Sequence, residues 1–136
     1  LTSGPAISRE YGNAASEAFQ AYRCGDDPKA KKVIDRAAKN FARGLASVNS
    51  VLDTEVIVIG GSVFMNNLEI LLPLIKEEFY RSFPTLSRDV EIRPSELESY
   101  LGDIAALSLV MPKDWVEEWQ RKKPWTYAPE PILLED

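Results

Sequence analysis

The chain has 136 residues, of which 45% are hydrophobic and 27% are charged, as expected for one soluble domain with its own core. The net charge of -5 argues against a nucleic acid partner. The sequence has no apolar run of about 20 residues, so no membrane span is predicted. Histidine is absent and Cys24 is the single cysteine, which excludes histidine-based catalysis and an internal disulfide and favours a reducing, cytoplasmic setting.

The first predicted elements are a turn and a helix. Ser3-Gly4-Pro5 is typical of a turn, and the spacing of apolar residues predicts a helix over about Asn13 to Arg23. Gly25 is expected to cap this helix at its C-terminal end, because glycine adopts the left-handed backbone conformation without strain.

A long second helix is the clearest element of the sequence. It is predicted to begin after Asp26 or Asp27, either of which can cap it, with Pro28 in its first turn. Its apolar residues recur in steps of three and four, as one helical face requires. They are Ala30, Val33, Ile34, Ala37, Ala38, Phe41, Leu45, Val48 and Leu52. The second half also contains the small residues Ala38, Ala42, Gly44 and Ala46, so a neighbouring element is expected to pack closely there.

The stretch Glu55 to Ile59 predicts a strand that runs straight into Gly60-Gly61-Ser62. Its four aliphatic residues are continuous and do not alternate with polar residues, which indicates a strand covered on both faces, as in an α/β sheet. Two glycines at the end of such a strand indicate either a tight turn or a place where a ligand approaches the backbone.

The next helix is expected to begin near Asn66, with Glu69 completing a capping box, and to end at Pro84. The residues expected to face inward are Leu68, Leu71, Leu72, Ile75, Phe79 and Phe83.

A short strand then follows, with Val90 and Ile92 on one face, and after it a helix from about Gly102 to Val110. That helix is almost entirely apolar or small, so deep burial is expected. Past residue 112 the sequence predicts a short amphipathic helix and a Pro- and Trp-rich extended arm. The alternation of helices and strands predicts an α/β fold with a small sheet.

The glycine pair does not fit the common phosphate-binding loops. A dinucleotide fingerprint requires a third glycine after Gly60-Gly61, and a Walker loop requires Gly-Lys-Ser/Thr; the sequence contains neither. Spacing alone therefore leaves two alternatives, a tight strand-to-loop turn or a flat ligand lying against backbone that has no side chain.

No complete catalytic constellation stands out elsewhere. Glu77-Glu78 are adjacent in a helix and do not face each other, so solvated helix surface explains them. Cys24 has no histidine partner and is expected to be inert and partly buried. The tryptophans Trp115, Trp119 and Trp125 are expected to pack onto another lobe or subunit, which favours a homo-oligomer. We expect no catalytic residue and no metal ligand in this chain.

Four segments, in this order, resemble the C-terminal part of the ROK family of repressors, open reading frames and sugar kinases. They are "SGPAI" at 3–7, "CGDDPKAKKVIDRAAKNFARGLASVNSVLD" at 24–53, "VIVIGGSV" at 56–63 and "YLGDIAALSLV" at 100–110. Each segment by itself is weak evidence for the family, whereas the order and spacing of the four segments are more specific for it.

The resemblance implies the C-terminal lobe of an actin-like (ribonuclease H-like) ATPase fold, with that lobe at residues 1–112 and a C-terminal helix and arm at 113–136. It implies transfer of a phosphoryl group from ATP, bound with Mg²⁺, to a sugar such as glucose. Gly60, Gly61 and Ser62 would then contact the nucleotide, with Ser62 in place of a third family glycine.

The resemblance also implies that other parts of the site lie elsewhere. In the family, an N-terminal lobe supplies the phosphate loop, the catalytic aspartate and a zinc site. Since the chain starts at Leu1 and contains no histidine, we expect a fragment that lacks this lobe and is inactive alone. The alternatives are the corresponding lobe of a ROK transcriptional regulator and a non-catalytic dimerisation module. Regulators of the family often have degraded ATP motifs, so the largely kept "VIVIGGSV" favours the kinase.

Overall fold

The computed structural model describes residues 2–97 and 100–122 and consists of helices around two short strands. In chain order the elements are α1 Gly4–Tyr11, α2 Ala15–Cys24, α3 Pro28–Leu52, β1 Val56–Ile59, α4 Ser62–Met65, α5 Leu68–Ser82, α6 Pro84–Ser87, β2 Glu91–Pro94, α7 Leu101–Val110 and α8 Lys113–Lys122. The chain separates into two compact units, residues 1–101 and residues 102–136, and both strands belong to the first. The predicted α/β fold with a small sheet is confirmed.

Helix α1 replaces the turn that the sequence predicted at its beginning. Pro5 occupies the first helical turn, where the N–H that proline lacks would have no helical acceptor. The carbonyl oxygen of Ser3 accepts hydrogen bonds from the backbone N–H groups of Ala6 and Ile7, each at 3.0 Å. Ile7 is buried, so α1 contributes to the core. Helix α2 ends as predicted, with Gly25 in the left-handed conformation at φ +78°.

Helix α3 lies at the centre of the first unit and packs against α1, α2, α5 and α6. Asp27 caps its start, because the carboxylate accepts hydrogen bonds from the backbone N–H groups of Lys29 and Ala30 at 2.8 and 3.2 Å. Asp53 ends it in the left-handed conformation, with φ +49°. The predicted bounds of this helix are confirmed.

The buried face of α3 differs from the predicted one in its second half. Val48 and Leu52 are 54% and 64% exposed, so their predicted burial is wrong. In the second half the buried residues are Ala42, Ala46 and Asn49. Helix α5 packs against α3, and small side chains such as these alanines let a neighbouring helix approach closely. The expected close packing is confirmed at the alanines but not at Gly44, which is exposed.

Asn49 is the polar one of these buried residues and joins three elements. Its side-chain nitrogen donates a hydrogen bond to the carbonyl oxygen of Leu86 at 3.0 Å. Its side-chain oxygen accepts from the backbone N–H and the hydroxyl of Thr54, at 3.2 and 2.7 Å. Because both ends of this buried amide are bonded, Asn49 fixes the end of α3 against α6 and against the turn that leads into β1.

The two strands form a parallel pair in which Ile57 lies opposite Ile92. A parallel pair needs a crossover connection, and α5 lies in the segment that joins the two strands. Ile59 and Ile92 are buried, whereas Val56 and Val58 are 44% and 62% exposed. The prediction that β1 is covered on both faces is therefore wrong for the described residues, because the helices cover the face that carries the isoleucines.

Helix α5 begins one residue later than predicted, and its cap is Asn67 rather than Asn66. The capping box with Glu69 is also absent, because the side chain of Asn67 makes no hydrogen bond to the start of its own helix. Five inward residues are buried, namely Ile70, Leu71, Ile75, Glu78 and Phe79. Phe83 follows the helix and is 46% exposed, so it is not part of the buried face of α5.

Glu78 is buried at 7% exposure, so the prediction that Glu77-Glu78 is solvated surface is wrong for this residue. Its carboxylate accepts a hydrogen bond from the Arg43 Nε at 2.8 Å and another from Arg81. Burial alone would raise the pKa of the Glu78 carboxyl, but the two arginines outweigh it and hold the pKa below its ordinary value. Glu78 therefore joins α5 to α3 as a charged group.

The described part of the second unit contains the helices α7 and α8. Leu107, Leu109 and Val110 of α7 are 58%, 87% and 77% exposed, so the predicted deep burial of this helix is wrong. The only other helix described in this unit, α8, is short and mostly polar, which leaves little apolar surface to cover them. The predicted arm lies outside the described residues. None of the helices in the described part of the chain has the length and composition needed to cross a membrane.

The charged state of Glu78 gives the first testable prediction. Replacing Glu78 with glutamine should lower the free energy of unfolding at pH 7 by about 1–3 kcal/mol, because two arginines lose a charged acceptor. The folded-state pKa of Glu78 lies below the unfolded one, so its contribution is complete above about pH 4.3 and is lost as the pH falls through the folded-state pKa. The difference between the wild type and E78Q should therefore shrink in acid, as urea titrations at several pH values would measure.

The neighbouring exposed glutamate provides the control. Glu77→Gln removes the same charge from the same helix turn and should leave the free energy of unfolding at pH 7 nearly unchanged, because Glu77 is exposed. Equal effects of the two substitutions would contradict the stabilising role of the buried carboxylate.

Candidate functional site

The residues predicted to form the site lie together at the carboxyl end of β1. Gly60 follows the strand, Gly61 precedes α4, and Ser62 is the first residue of α4. Gly61 has φ +99°, a conformation that residues with a side chain rarely adopt. A Cβ at Gly61 would have no atom within 4 Å. Open space therefore lies next to the backbone where the sequence predicted the approach of a ligand.

Gly60, Gly61 and Ser62 form part of the wall of a cleft of about 300 Å³. That volume lies at the lower end of the range of small-molecule sites. The lining comes from α1, α3, β1, α4 and α5, and consists of Thr2, Ser3, Gly4, Ile7, Ala37, Ala38, Phe41, Ile59, Gly60, Gly61, Ser62, Val63, Phe64, Leu71 and Ile75. None of these residues is charged, so the cleft suits a neutral, largely apolar group.

Helix α1 contributes a wall that sequence reasoning missed. A Cβ added to Gly4 would lie 3.2 Å from the Cγ2 atom of Val63, which is closer than most real contacts of a Cβ. Glycine at this position therefore lets α1 approach α4 closely. Gly4 next to Pro5 had the composition of a turn, and only the tertiary contact with Val63 shows why glycine is needed.

Helix α4 also contacts a hydrogen-bonded cluster of Arg23, Asn67 and Glu69. The side-chain nitrogen of Asn67 donates to the carbonyl oxygen of Val63 at 2.8 Å. Its side-chain oxygen accepts from Arg23 Nη2 at 2.9 Å, and Arg23 Nε also donates to Glu69 at 2.9 Å. The hydrogen bond from Arg23 holds the pKa of the Glu69 carboxyl below its ordinary value. None of the three residues was singled out as part of a site from the sequence.

The described residues offer no site for a metal ion. No group of three or more His, Cys, Asp or Glu side chains in the ranges 2–97 and 100–122 is arranged to hold one. Asp27 accepts hydrogen bonds from the start of α3 and from the hydroxyl of Tyr11, at 2.8 Å, so a structural role explains it.

The sequence also singled out Cys24 and three tryptophans. Cys24 is exposed, which contradicts its predicted partial burial, and it is not among the residues that line the cleft. Trp115 and Trp119 are 62% and 37% exposed on α8 in the second unit. Trp125 lies outside the described residues.

Comparisons with known proteins point to one family. The profile of the ROK family matches residues 1–112. The chain is 43% identical over 75 residues to a glucokinase from Aeropyrum pernix, a match that covers 55% of this chain and 23% of the glucokinase. It also resembles the crystal structure of a ROK hexokinase from Thermus thermophilus, with a TM-score of 0.67 and 27% identity, over 74% of this chain and 36% of that chain.

These matches cover most of this chain but only a minor part of either relative. The structural match confirms the predicted relation to the actin-like kinase fold. The family profile spans the helices and strands of the first unit, including the cleft. Together these findings show that the chain belongs to the ROK family.

Proposed function

We propose that this chain forms the adenosine-binding side of an ATP-dependent sugar kinase. The observation that carries the proposal is the position of Gly60-Gly61-Ser62, directly after β1 and along an uncharged cleft. The glucokinase and the hexokinase found by comparison are both named as sugar kinases, which favours a kinase over a regulator.

The cleft has the properties that a base and a sugar require. Ala37 and Ala38 of α3 leave room in the lining because their side chains end at Cβ. Gly61 exposes backbone without a side chain, so a flat ring can lie against it. Ser62 is exposed at the same wall, and its hydroxyl can donate or accept one hydrogen bond. The chain would therefore bind and orient the adenosine and shield it from water.

Phosphoryl transfer requires further groups that the described residues do not supply. The reaction needs positioned phosphates, Mg²⁺ and a base near the attacking hydroxyl. The described residues contain no cluster that could hold a metal ion, so we assign to this chain only the adenosine side. The partners of this side would be an N-terminal lobe and a sugar substrate. A homo-oligomer remains a prediction, supported by the exposed Trp115 and Trp119.

Binding of ATP provides the direct test of this proposal. Titration calorimetry of the chain with Mg-ATP should give saturable heat. Ser62→Tyr should weaken binding by about tenfold or more, or about 1.4 kcal/mol, because a large ring at an exposed position of the wall would occupy the cleft.

The matched control is Ser47→Tyr, which adds the same ring to an exposed position of α3 that does not line the cleft. It should bind Mg-ATP like the wild type. A folded wild-type chain that gives no heat up to millimolar Mg-ATP would contradict the nucleotide site and leave the regulator or the dimerisation module. Equal loss of binding in both variants would contradict the position of the site.

A second prediction concerns turnover. The purified chain alone should phosphorylate no hexose in a coupled assay that follows ADP formation, because the described residues lack a metal-binding cluster for the phosphates. A known glucokinase serves as the positive control. Sugar-dependent turnover by the pure chain would contradict the assignment of only one side of the site.

A further inference from the structure

We propose that Arg23 and Asn67, which lie outside the cleft, are positioning residues that set the geometry of its glycine wall. This inference rests on the proposed nucleotide site. It adds to that site two supporting residues that no sequence motif indicates. Neither residue is among those that line the cleft. Their effect on a bound nucleotide would be carried through the backbone of α4.

Asn67 stands at the N-cap of α5 but does not cap that helix with its side chain. An N-cap asparagine usually accepts a hydrogen bond from the second or third backbone N–H of the helix and stabilises the helix. Here the side-chain oxygen accepts from Arg23 and the side-chain nitrogen donates to the carbonyl of Val63. The buried amide of Asn67 therefore holds the neighbouring α4 instead of its own helix.

Arg23 determines which way this amide faces. Its Nη2 donates to the side-chain oxygen of Asn67 at 2.9 Å and to the carbonyl of Asn66 at 3.3 Å, while its Nε donates to Glu69 at 2.9 Å. A planar guanidinium can serve acceptors in different directions at once, which an ammonium group cannot do with the same geometry. With the oxygen of Asn67 engaged by Arg23, its nitrogen faces Val63.

Helix α4 is then held at Val63 by two contacts. The side chain of Asn67 donates a hydrogen bond to the carbonyl of Val63. Gly4 lies so close to the Val63 side chain that a Cβ there would be 3.2 Å from it. Ser62, Val63 and Phe64 of α4 all line the cleft. A rotation of the Asn67 amide would therefore move the wall that follows Gly61.

The pair between Arg23 and Glu69 is too exposed to contribute much to overall stability. Their side chains are 42% and 60% exposed, and the attraction in such exposed pairs is screened by water and salt. Loss of Arg23 should therefore change the cleft more than the fold. Without it, the Asn67 oxygen is free to accept from the start of α5, and the hydrogen bond to Val63 is weakened.

Arg23→Gln is the main test, with Lys31→Gln as its matched control. Each substitution removes one positive charge from an exposed pair, and Lys31 bonds to Asp35 on α3, with no bond to α4. R23Q should weaken Mg-ATP binding by about 3- to 10-fold, the equivalent of one hydrogen bond, and K31Q should not. Without nucleotide, the amide NMR signals of Gly61, Ser62 and Val63 should shift in R23Q and stay in place in K31Q.

Two further variants separate positioning from general destabilisation. Asn67→Asp keeps the acceptor for Arg23 but loses the donor to Val63, so it should weaken binding as R23Q does. Arg23→Lys should recover part of the loss, since one ammonium can serve some of the same acceptors. Unchanged melting temperatures in R23Q and K31Q would show that the fold is intact.

The outcomes distinguish this proposal from the one on which it rests. If the wild type binds Mg-ATP and R23Q binds it equally well with unshifted wall signals, the positioning role is wrong and the nucleotide site stands. If the folded wild type does not bind Mg-ATP at all, both proposals are wrong.

Discussion

The contact between α3 and α5 is the most extensive contact between elements in the described part of the first unit, and the core is organised around it. Ala38, Ala42 and Ala46 of α3 are buried, and because their side chains end at Cβ, a neighbouring helix can approach α3 closely. Ala37 and Ala38 of the same helix form part of the cleft lining. The packing that builds the core therefore also makes the space for a ligand.

The wall of the cleft near the end of β1 is fixed by a different interaction at each of its residues. Gly61 is required by its backbone conformation, at φ +99°. At Gly4, far away in sequence, a Cβ would lie only 3.2 Å from the Val63 side chain. Arg23 and Asn67 are linked to the carbonyl of Val63 by hydrogen bonds. The wall of the cleft therefore depends on residues from three separate parts of the chain.

Sequence reasoning predicted those features that local patterns encode. The cap at Asp27, the left-handed Gly25 and the inward faces of Val90 and Ile92 follow from the residue types and their spacing. It failed where tertiary contacts decide. Glu78 is buried and arginines on two helices compensate its charge, and the buried residues in the second half of α3 are Ala42, Ala46 and Asn49, which leaves Val48 and Leu52 exposed. The candidate site was predicted from Gly60-Gly61. The contacts of Arg23 and Gly4 near this site could not be predicted, because they join residues that are distant in sequence.

The central claim is that the cleft beside Gly61 takes the adenosine part of ATP. The most direct measurement is an isotope-filtered nuclear Overhauser experiment between Mg-ATP and the carbon-13-labelled chain. The account predicts contacts from the adenine protons to the methyl groups of Ala38 and Val63, which line the cleft. Adenine contacts found only at other residues, such as Tyr80 and Pro84 in the shallow depression near α6, would contradict it.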